Sequence, residues 1–335
     1  MDTARGVATR EDLEGVARAA LGAGHRLAGV SRLRGGSKKG VYRLAFDDGS
    51  TAIAYIWDDA ENYWPAAAKV DDAADHADPF SHASGLDLFQ AANARLDALG
   101  VRTPRILLAD RSRSHYPADI AVVEDVPGEN LEALLRRDPK GAETTLALLA
   151  EALDVMRRHT APGFGKVALI DSGGTSRGRS CEQVVLDRAL ADLAEAAARD
   201  TRVARVRDHL EQMARELASF VRPRSEFGLI HGELGPDHVL VDRLGRPVLI
   251  DIEGFMFFDV EWEHVFLRIR FGEHYRWLGG SGLDERRLAF YMLAMRLSLV
   301  AGPLRLLDGD FPDREAMAGI AEYNLQQALA FCFEE

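Results

Sequence analysis

The chain has 335 residues, of which 47% are hydrophobic and 28% are charged, and its formal net charge is -12. This composition is typical of a globular protein and excludes a largely disordered chain, while the negative charge argues against a broad nucleic-acid-binding surface. No run of about 18 or more apolar residues is present, so the sequence predicts no membrane span. The acidic balance suits a cationic small molecule if the acids line a cleft, or it simply maintains solubility.

The cysteines and the first residues of the chain indicate a compartment. Cys181 and Cys332 have neither the spacing of zinc ligands nor the pattern of a disulfide framework. The first residues, MDTARGVATREDLEGVARAALG, lack the basic and then apolar pattern of a signal peptide. We therefore expect a cytoplasmic protein.

The first third of the chain is predicted to be rich in strands. Thr9 and Asp12 form a capping-box pattern at the start of an amphipathic helix. The runs AGVSRLRGG, VYRLAF and TAIAYIW then predict three strands, with a glycine-rich loop after the first and a DDGS turn after the second. Residues 58–83 are expected to form a loop or insertion and residues 84–100 a helix, followed by the strands TPRILLAD and DIAVVEDVPG.

The rest of the chain is predicted to be mainly helical. LEALLRRDP is a short helical segment, and residues 143–159 and 181–220 are long Ala- and Leu-rich segments with charged outer faces. GLIHGE, VLVD and VLIDIEG interrupt them as short strands. Strands followed by helices predict an α+β protein, with a boundary between residues 126 and 127.

Polar residues converge at one predicted hairpin. Val239–Val241 and Val248–Ile250 are short apolar runs around a turn that contains glycine and proline. Opposed Cα atoms in such a hairpin lie about 4.5–5.5 Å apart, so His238 and Asp251 are expected side by side, with Glu233 in the preceding loop. Carboxylates of this kind suit a divalent cation and a general base in phosphoryl transfer, although each could also merely cap a turn.

A second feature is the glycine-rich segment LRGGSKKGVYRL. Gly35, Gly36 and Gly40 lie between two predicted strands. Because glycine adopts backbone angles closed to other residues, the amides of such a loop can approach phosphates closely. A solvated turn is the alternative interpretation.

The segment HGELGPDHVLVD followed by VLIDIEG resembles the aminoglycoside phosphotransferase and choline-kinase-like family. The family pattern is His-Gly-Asp, four residues, Asn, a strand, a turn and Ile-Asp-Phe-Gly, and the spacing here matches without gaps. The resemblance implies a protein-kinase-like two-lobed fold. A small antiparallel sheet lobe would span residues 1–126, with the leading helix, the glycine-rich loop and one more helix. A larger, mainly helical lobe would span residues 127–335 and hold the catalytic loop, the metal site and the acceptor site.

The resemblance assigns a role to each matching position. His231 would support the catalytic loop, and Glu233 would take the place of the catalytic aspartate. His238 would replace the metal-binding asparagine, and Asp251 matches the aspartate that holds Mg²⁺. Asp259 resembles the residue that braces the loop from the following helix.

The resemblance also implies a site for ATP or GTP. The residues expected to cover the phosphates are Gly35, Gly36, Ser37, Lys38, Lys39 and Gly40. Glu124 and Val126 match the backbone segment that recognises the base. The family carries a phosphate-binding lysine on the next strand, but TAIAYIW has none. Lys38 or Lys39 could replace it from the loop. In the family this lysine normally pairs with a glutamate on the helix. No counterpart of that glutamate is assigned here, since Asp87 and Gln90 both lie on the expected helix.

Two departures from the family pattern affect the predicted chemistry. Glutamate at position 233 adds one methylene to the base, a displacement that can cost on the order of 100-fold in rate if the backbone does not compensate. Histidine at position 238 provides a nitrogen ligand, which suits Mn²⁺ or Zn²⁺ better than Mg²⁺. We therefore expect Mg²⁺, with Mn²⁺ as an alternative.

The acceptor is expected to be a small, cationic molecule, such as an aminoglycoside-type antibiotic, and neither nucleic acid nor membrane is expected as a partner. The residues matched to its site are Glu253, Glu261, Trp262 and Glu263. Two other functions stay open. One is a catalytically degenerate kinase fold that binds nucleotide or ligand without turnover. The other is a metallohydrolase with His231, Glu233, His238 and Asp251 as ligands. The sequence does not indicate an oligomeric state.

Overall fold

The computed structural model describes residues 7–33, 35–64 and 76–332. The chain divides into two compact units, each assembled from three separated segments. Unit 1 consists of Met1–Tyr63, Ala83–Thr145 and Asp237–Glu253, and unit 2 consists of Trp64–His82, Leu146–Pro236 and Gly254–Glu335. Residues 126 and 127, between which the sequence predicts the lobe boundary, both belong to unit 1.

Unit 1 contains a five-stranded antiparallel sheet with the strand order β1-β2-β3-β5-β4. Its strands are β1 Leu27–Arg32, β2 Gly40–Phe46, β3 Thr51–Trp57, β4 Ile106–Asp110 and β5 Asp119–Glu124. All five strands predicted in the first third of the chain are therefore confirmed. Residues 65–75, part of the loop predicted over residues 58–83, lie outside the described residues.

One face of this sheet carries the hydrophobic core of unit 1. Because side chains alternate between the two faces of a strand, Tyr42 and Leu44 share a face, and both pack in one cluster with helix α1 (Arg10–Leu21). The helix begins at the predicted capping box. The Thr9 hydroxyl accepts from the Asp12 N–H, and the Asp12 carboxylate accepts from the Thr9 N–H at 2.8 Å.

Two helices and a hairpin complete unit 1. They are α2 Leu86–Ala98, α3 Leu131–Arg137, and the pair of β9 Val239–Val241 with β10 Pro247–Leu249. The hairpin is bound to the rest of unit 1 through its backbone, because Leu249 N–H donates to the Arg102 carbonyl at 2.9 Å. The predicted hairpin is confirmed, with its second strand one residue earlier than expected.

Unit 2 contains a four-stranded antiparallel sheet with the order β6-β8-β11-β7. Its strands are β6 Thr160–Ala161, β7 Gly165–Lys166, β8 Phe227–Ile230 and β11 Met256–Phe258. The sequence predicts β8 but not the other three, since strands of two or three residues are too short to show an alternating pattern. This sheet positions the chain that leaves β8, which carries His231 and Glu233.

The remaining chain is mainly helical, as predicted. Its helices are α4 Glu143–Arg158, α5 Val167–Asp171, α6 Cys181–Arg199, α7 Thr201–Ser219, α8 Val260–Phe271, α9 Glu285–Leu307 and α10 Arg314–Ala330. The segment predicted as one helical stretch over residues 181–220 is two helices. Asp200 ends α6, and its carboxylate accepts from the Arg202 N–H at 2.8 Å, which caps α7.

Helix α9 is the long central helix of unit 2 and contacts α6, α7, α8 and α10. Within the described part of the chain, it is the one helix long and apolar enough to cross a membrane by length and composition, although the sequence predicts no span. More than half of its most apolar window is buried within the protein, and it carries the buried residues Arg287 and Arg296. These are the properties of a core helix.

Candidate active site

The glycine-rich loop precedes β2 in unit 1, and its shape depends on glycine at two positions. Gly36 has φ of +76°, and a Cβ atom there would lie 2.8 Å from the Lys39 carbonyl oxygen. At Gly40 a Cβ atom would lie 2.6 Å from the carboxyl carbon of Glu61. Side chains are therefore excluded on the inside of this turn, and the loop backbone can approach a ligand closely.

Lys39 is the buried cation of this loop. The residue is 6% exposed, and its ammonium donates to Asp251 at 2.8 Å and to Glu253 at 2.5 Å. It also lies 5.2 Å from the centroid of the Tyr55 ring. Burial disfavours the charged form, but the two carboxylates outweigh it and raise the pKa of Lys39 above its usual value.

Asp251 follows β10 and combines an unusual backbone with an accessible carboxylate. Its φ is +59°, in the left-handed region, and its side chain is 43% exposed. The Lys39 ammonium, against the effect of burial and with a smaller contribution from His238, holds the pKa of this carboxyl well below its usual range. The group is thus ionised at neutral pH and accessible to a ligand.

His238 and Asp251 are neighbours, as the hairpin pattern predicts. Ile250 N–H donates to the His238 carbonyl at 3.0 Å, so the two residues face each other at the open end of the hairpin. The Nε2 atom of His238 lies 3.9 Å from the Asp251 carboxylate. Their arrangement fits a single divalent cation that draws its other ligands from water and phosphate. Among the described residues, no three His, Cys, Asp or Glu side chains are arranged to hold a metal.

In unit 2 the chain leaves β8 through His231, Gly232 and Glu233. His231 is buried and packs against Phe255, with 4.9 Å between the ring centroids. Gly232 has φ of +87°, and the following Glu233 is exposed. A carboxylate on an exposed turn can meet a substrate hydroxyl, and the buried imidazole before it anchors that turn.

The residue that braces this turn is Glu263 of helix α8. Its carboxylate accepts from the Gly232 N–H at 2.6 Å. Burial raises the pKa of Glu263 to about 7, although the backbone hydrogen bonds from Gly232 and His231 oppose the shift and Glu233 adds to it. Glu263 thus has a loop-supporting role that the sequence analysis did not give it.

Asp259, which the sequence analysis expects to brace the loop, has other partners. Its carboxylate accepts hydrogen bonds from the Arg287 guanidinium and from the Tyr291 hydroxyl, both on helix α9. Burial raises the pKa of Asp259, while Arg287 and Tyr291 oppose the shift. Its described hydrogen bonds therefore join α8 to α9. The residue that contacts the turn is instead the acid four positions later, Glu263.

The residues predicted to bind the acceptor are all buried in the structure. Glu253 contacts Lys39, and Glu261 is paired with Arg224 through two hydrogen bonds of 2.7 and 2.6 Å. Trp262 packs against an aromatic cluster made of Phe80, Phe258 and Tyr291. Glu263 is bound to the loop. Acceptor binding stays a prediction, and the described contacts of these side chains serve packing and loop support.

The predicted base-recognition segment follows β5. The carboxylate of Glu124 accepts from Arg102 at 2.8 Å, and its N–H donates to the Arg105 carbonyl. Arg102 also donates to Asp242 in the hairpin turn at 2.7 Å. Val126 is buried, and among the described residues no hydrogen bond to its backbone is present. Base recognition by this segment stays a prediction.

Comparison with known proteins identifies the family. The chain belongs to the phosphotransferase enzyme family, whose model matches residues 30–281. Comparison with curated protein sequences found no match.

Solved structures share the fold at low sequence identity. The spectinomycin phosphotransferase APH(9)-Ia, in complex with ADP and spectinomycin, has a TM-score of 0.63 at 11% identity, covering 95% of this chain and 94% of its own. The aminoglycoside phosphotransferase APH(4)-Ia has a TM-score of 0.60 at 18% identity, with coverage of 95% and 99%. A choline kinase from Streptococcus pneumoniae has a TM-score of 0.58 at 14% identity, with coverage of 95% and 98%. The predicted protein-kinase-like α+β fold is confirmed.

Proposed function

We propose that the protein transfers the terminal phosphoryl group of ATP or GTP to a hydroxyl group of a small, cationic molecule, with Mg²⁺ or Mn²⁺ bound together with the nucleotide. The observation that carries this proposal is the ion pair between Lys39 and Asp251, next to His238. It joins the glycine-rich loop to the segment VLIDIEG, because the two residues are 212 positions apart in the sequence. The ion pair thus supports a single site for phosphates and a metal in this unit.

Each residue has a defined role in the proposed reaction. Glu233 accepts the proton of the acceptor hydroxyl, whose oxygen forms a bond to the terminal phosphorus while the bond to the nucleoside diphosphate breaks. Asp251 and His238 are the residues that would hold the metal, which neutralises phosphate charge when bound. Glu263 supports the turn that carries Glu233 through its hydrogen bond with Gly232.

The family's solved structures support a nucleotide and a small acceptor. One relative was solved with ADP and hygromycin B, and another with ADP and spectinomycin. The net charge of -12 of the present chain favours a cationic acceptor, such as an aminoglycoside-type antibiotic. We retain the cytoplasm as the proposed location.

The two alternative functions differ in the support that they receive. A kinase fold without turnover is favoured by the histidine at position 238 and by the absence of lysine from β3. A metallohydrolase needs a ligand cluster that holds a metal without nucleotide, and within the described ranges no such cluster is formed. The phosphotransferase is therefore the main proposal.

The experiment is a transfer assay on the full chain. Labelled ATP and GTP are incubated with a panel of aminoglycosides, spectinomycin and choline, in Mg²⁺ or Mn²⁺. We expect transfer that depends on nucleotide and metal. We also expect a loss of about 100-fold or more in rate for Glu233→Ala, since a general base contributes rate on that scale. Asp251→Ala should lose transfer as well, and Glu233→Asp should retain it.

The matched control is Glu216→Ala, which removes an exposed glutamate from helix α7. Its rate should equal that of the parent. Absence of transfer, of nucleotide hydrolysis and of any nucleotide-induced rise in melting temperature would reject the proposal. A rise in melting temperature without turnover identifies the degenerate kinase fold instead, and chelator-sensitive, nucleotide-independent hydrolysis identifies a metallohydrolase.

A further inference from the structure

Strand β3 lacks the lysine that the family places there, and the described helix α2 contains no glutamate to pair with it. We propose that both members of this ion pair have moved, so that Lys39 of the glycine-rich loop binds the nucleotide phosphates and Glu253, two residues after the metal-binding Asp251, orients it. This inference rests on the proposed phosphotransferase function and deepens it.

The Lys39 side chain extends to the face of the sheet that carries Tyr55. Val41 of β2 lies opposite Tyr55 of β3, and alternate residues of a strand share a face, so Lys39, Val41 and Tyr55 are on the same side of the sheet. The Lys39 ammonium lies 5.2 Å from the Tyr55 ring centroid. It therefore occupies the space into which a lysine at position 55 would project.

Lys39 has a buried partner in Glu253. Glu253 is 4% exposed, and its carboxylate is 2.5 Å from the Lys39 ammonium. A buried carboxylate needs a cation or several donors to offset the loss of hydration, and Lys39 supplies the cation. If a metal were bound at Asp251, Glu253 would still hold the ammonium in place. Glu253 thus positions Lys39 in the way that the helix glutamate positions the strand lysine in other members of the family.

The two lysines of the loop differ in burial and in their partners. Lys38 is half-buried, and within the described residues its side chain forms no ion pair. Lys39 is almost fully buried between two carboxylates. A side chain held in one orientation loses less freedom on binding, which favours Lys39 as the phosphate ligand.

The experiment measures nucleotide affinity by calorimetry on the full chain, with ADP and a non-hydrolysable ATP analogue, in the presence of Mg²⁺ and in EDTA. Lys39→Met retains the aliphatic length and should weaken binding by about 10-fold to 100-fold, the range expected for a charge-assisted contact. The loss should occur with and without Mg²⁺, since the ammonium meets the phosphates directly. Asp251→Asn should weaken binding only with Mg²⁺. Lys140→Met, which alters an exposed lysine outside the proposed site, is the control and should have an effect of less than about threefold. Lys38→Met should weaken binding less than Lys39→Met does.

Two combined variants separate binding from folding. Lys39→Met/Glu253→Gln leaves no unpaired buried charge, so it keeps the test valid if the single variant is unstable. In the Lys39→Met background, Glu253→Gln should weaken affinity no further, because residues that act as a pair are not additive. Lys39→Met/Tyr55→Lys moves the lysine to the strand and should recover about tenfold of the lost affinity.

The outcomes distinguish this inference from the function on which it rests. If the parent chain binds no nucleotide, the proposed function fails. If the parent binds and a folded Lys39→Met binds equally well, only the relocated lysine is rejected. Three further results would also overturn it. One is a Lys38→Met effect as large as that of Lys39→Met. The others are additive effects of the Lys39 and Glu253 changes, and a folded Lys39→Met/Tyr55→Lys variant that recovers no affinity.

Discussion

At the scale of single residues, the candidate site combines an unusual backbone conformation with shifted pKa values. Asp251 is one of two described non-glycine residues with positive φ, and the other is Arg113. Such a conformation costs roughly 1–3 kcal/mol and persists only where the surroundings enforce it. Here the hairpin before it and the ion pair with Lys39 provide that enforcement. The strain lies at the residue proposed to bind the metal.

Glu263 gives a prediction for the pH dependence of stability. Its pKa is raised from 4.5 to about 7 in the folded protein, chiefly by burial. The folded state therefore holds this proton more tightly than the unfolded state does. The resulting stability is complete below pH 4.5 and is lost as the pH rises to about 7, by on the order of 3 kcal/mol.

Glu263→Gln removes this titration but retains a carbonyl oxygen that can accept from Gly232. We expect the variant to gain stability relative to the parent between pH 4.5 and 7. Urea unfolding at several pH values in this window measures the difference, and other titrating groups such as His264 cancel because both proteins contain them. Parallel profiles for the two proteins would show that the carboxyl of Glu263 titrates near its ordinary value.

At the scale of elements, the glycine-rich loop can meet strand β2 only because Gly40 has no side chain. A Cβ atom at Gly40 would meet Glu61 at 2.6 Å and the Tyr42 ring at 2.8 Å. Glu61 cannot move aside easily, since it accepts hydrogen bonds from Tyr42 and Arg32. Gly40→Ala should therefore destabilise unit 1 by about 1–3 kcal/mol, as overpacking of a buried site does.

The matched control for this change is Gly29→Ala in β1, where no atom lies within 4 Å of the added methyl group. Its free energy of unfolding should stay within about 0.5 kcal/mol of the parent value. Denaturant unfolding of the two variants provides the comparison. Equal stabilities would mean that the Glu61 side chain yields at no cost.

The whole molecule depends on buried charge as well as on its apolar core. Arg287 of α9 is 1% exposed and binds Asp259, which is fully buried at the start of α8. Arg287→Met would remove the cation that is hydrogen-bonded to this carboxylate and leave only Arg224, at 3.6 Å, beside it. The change should cost about 3–5 kcal/mol in the stability of unit 2. Thermal unfolding would show this as a lower melting temperature.

The control for Arg287 is the neighbouring Arg286→Met, which alters an exposed position of the same helix and should leave the melting temperature unchanged. Arg287→Met/Asp259→Asn should recover part of the loss because it removes the unpaired charge. A single Arg287→Met variant as stable as the parent would contradict a structural role for the pair.

Features that depend on neighbouring residues could be predicted from the sequence. The capping box at Thr9, the strands of the first third and the hairpin that brings His238 beside Asp251 follow from periodicity and turn chemistry, and the structure confirms them. The family motif between His231 and Asp251 was visible for the same reason, since its residues have fixed spacing.

Only the tertiary structure decided which of several equivalent side chains are brought together. Lys38 and Lys39 are adjacent and chemically alike, and only the packing buries Lys39 against Asp251 and Glu253. Asp259 and Glu263 were likewise both available to support the turn that carries Glu233, and the packed structure directs Glu263 to Gly232 while Asp259 binds Arg287 of α9. These pairings join distant segments of the chain, so they depend on the packed backbone and leave no periodic pattern in the sequence. The motif between His231 and Asp259 could thus be read from the sequence, but the partners of its charged side chains could not.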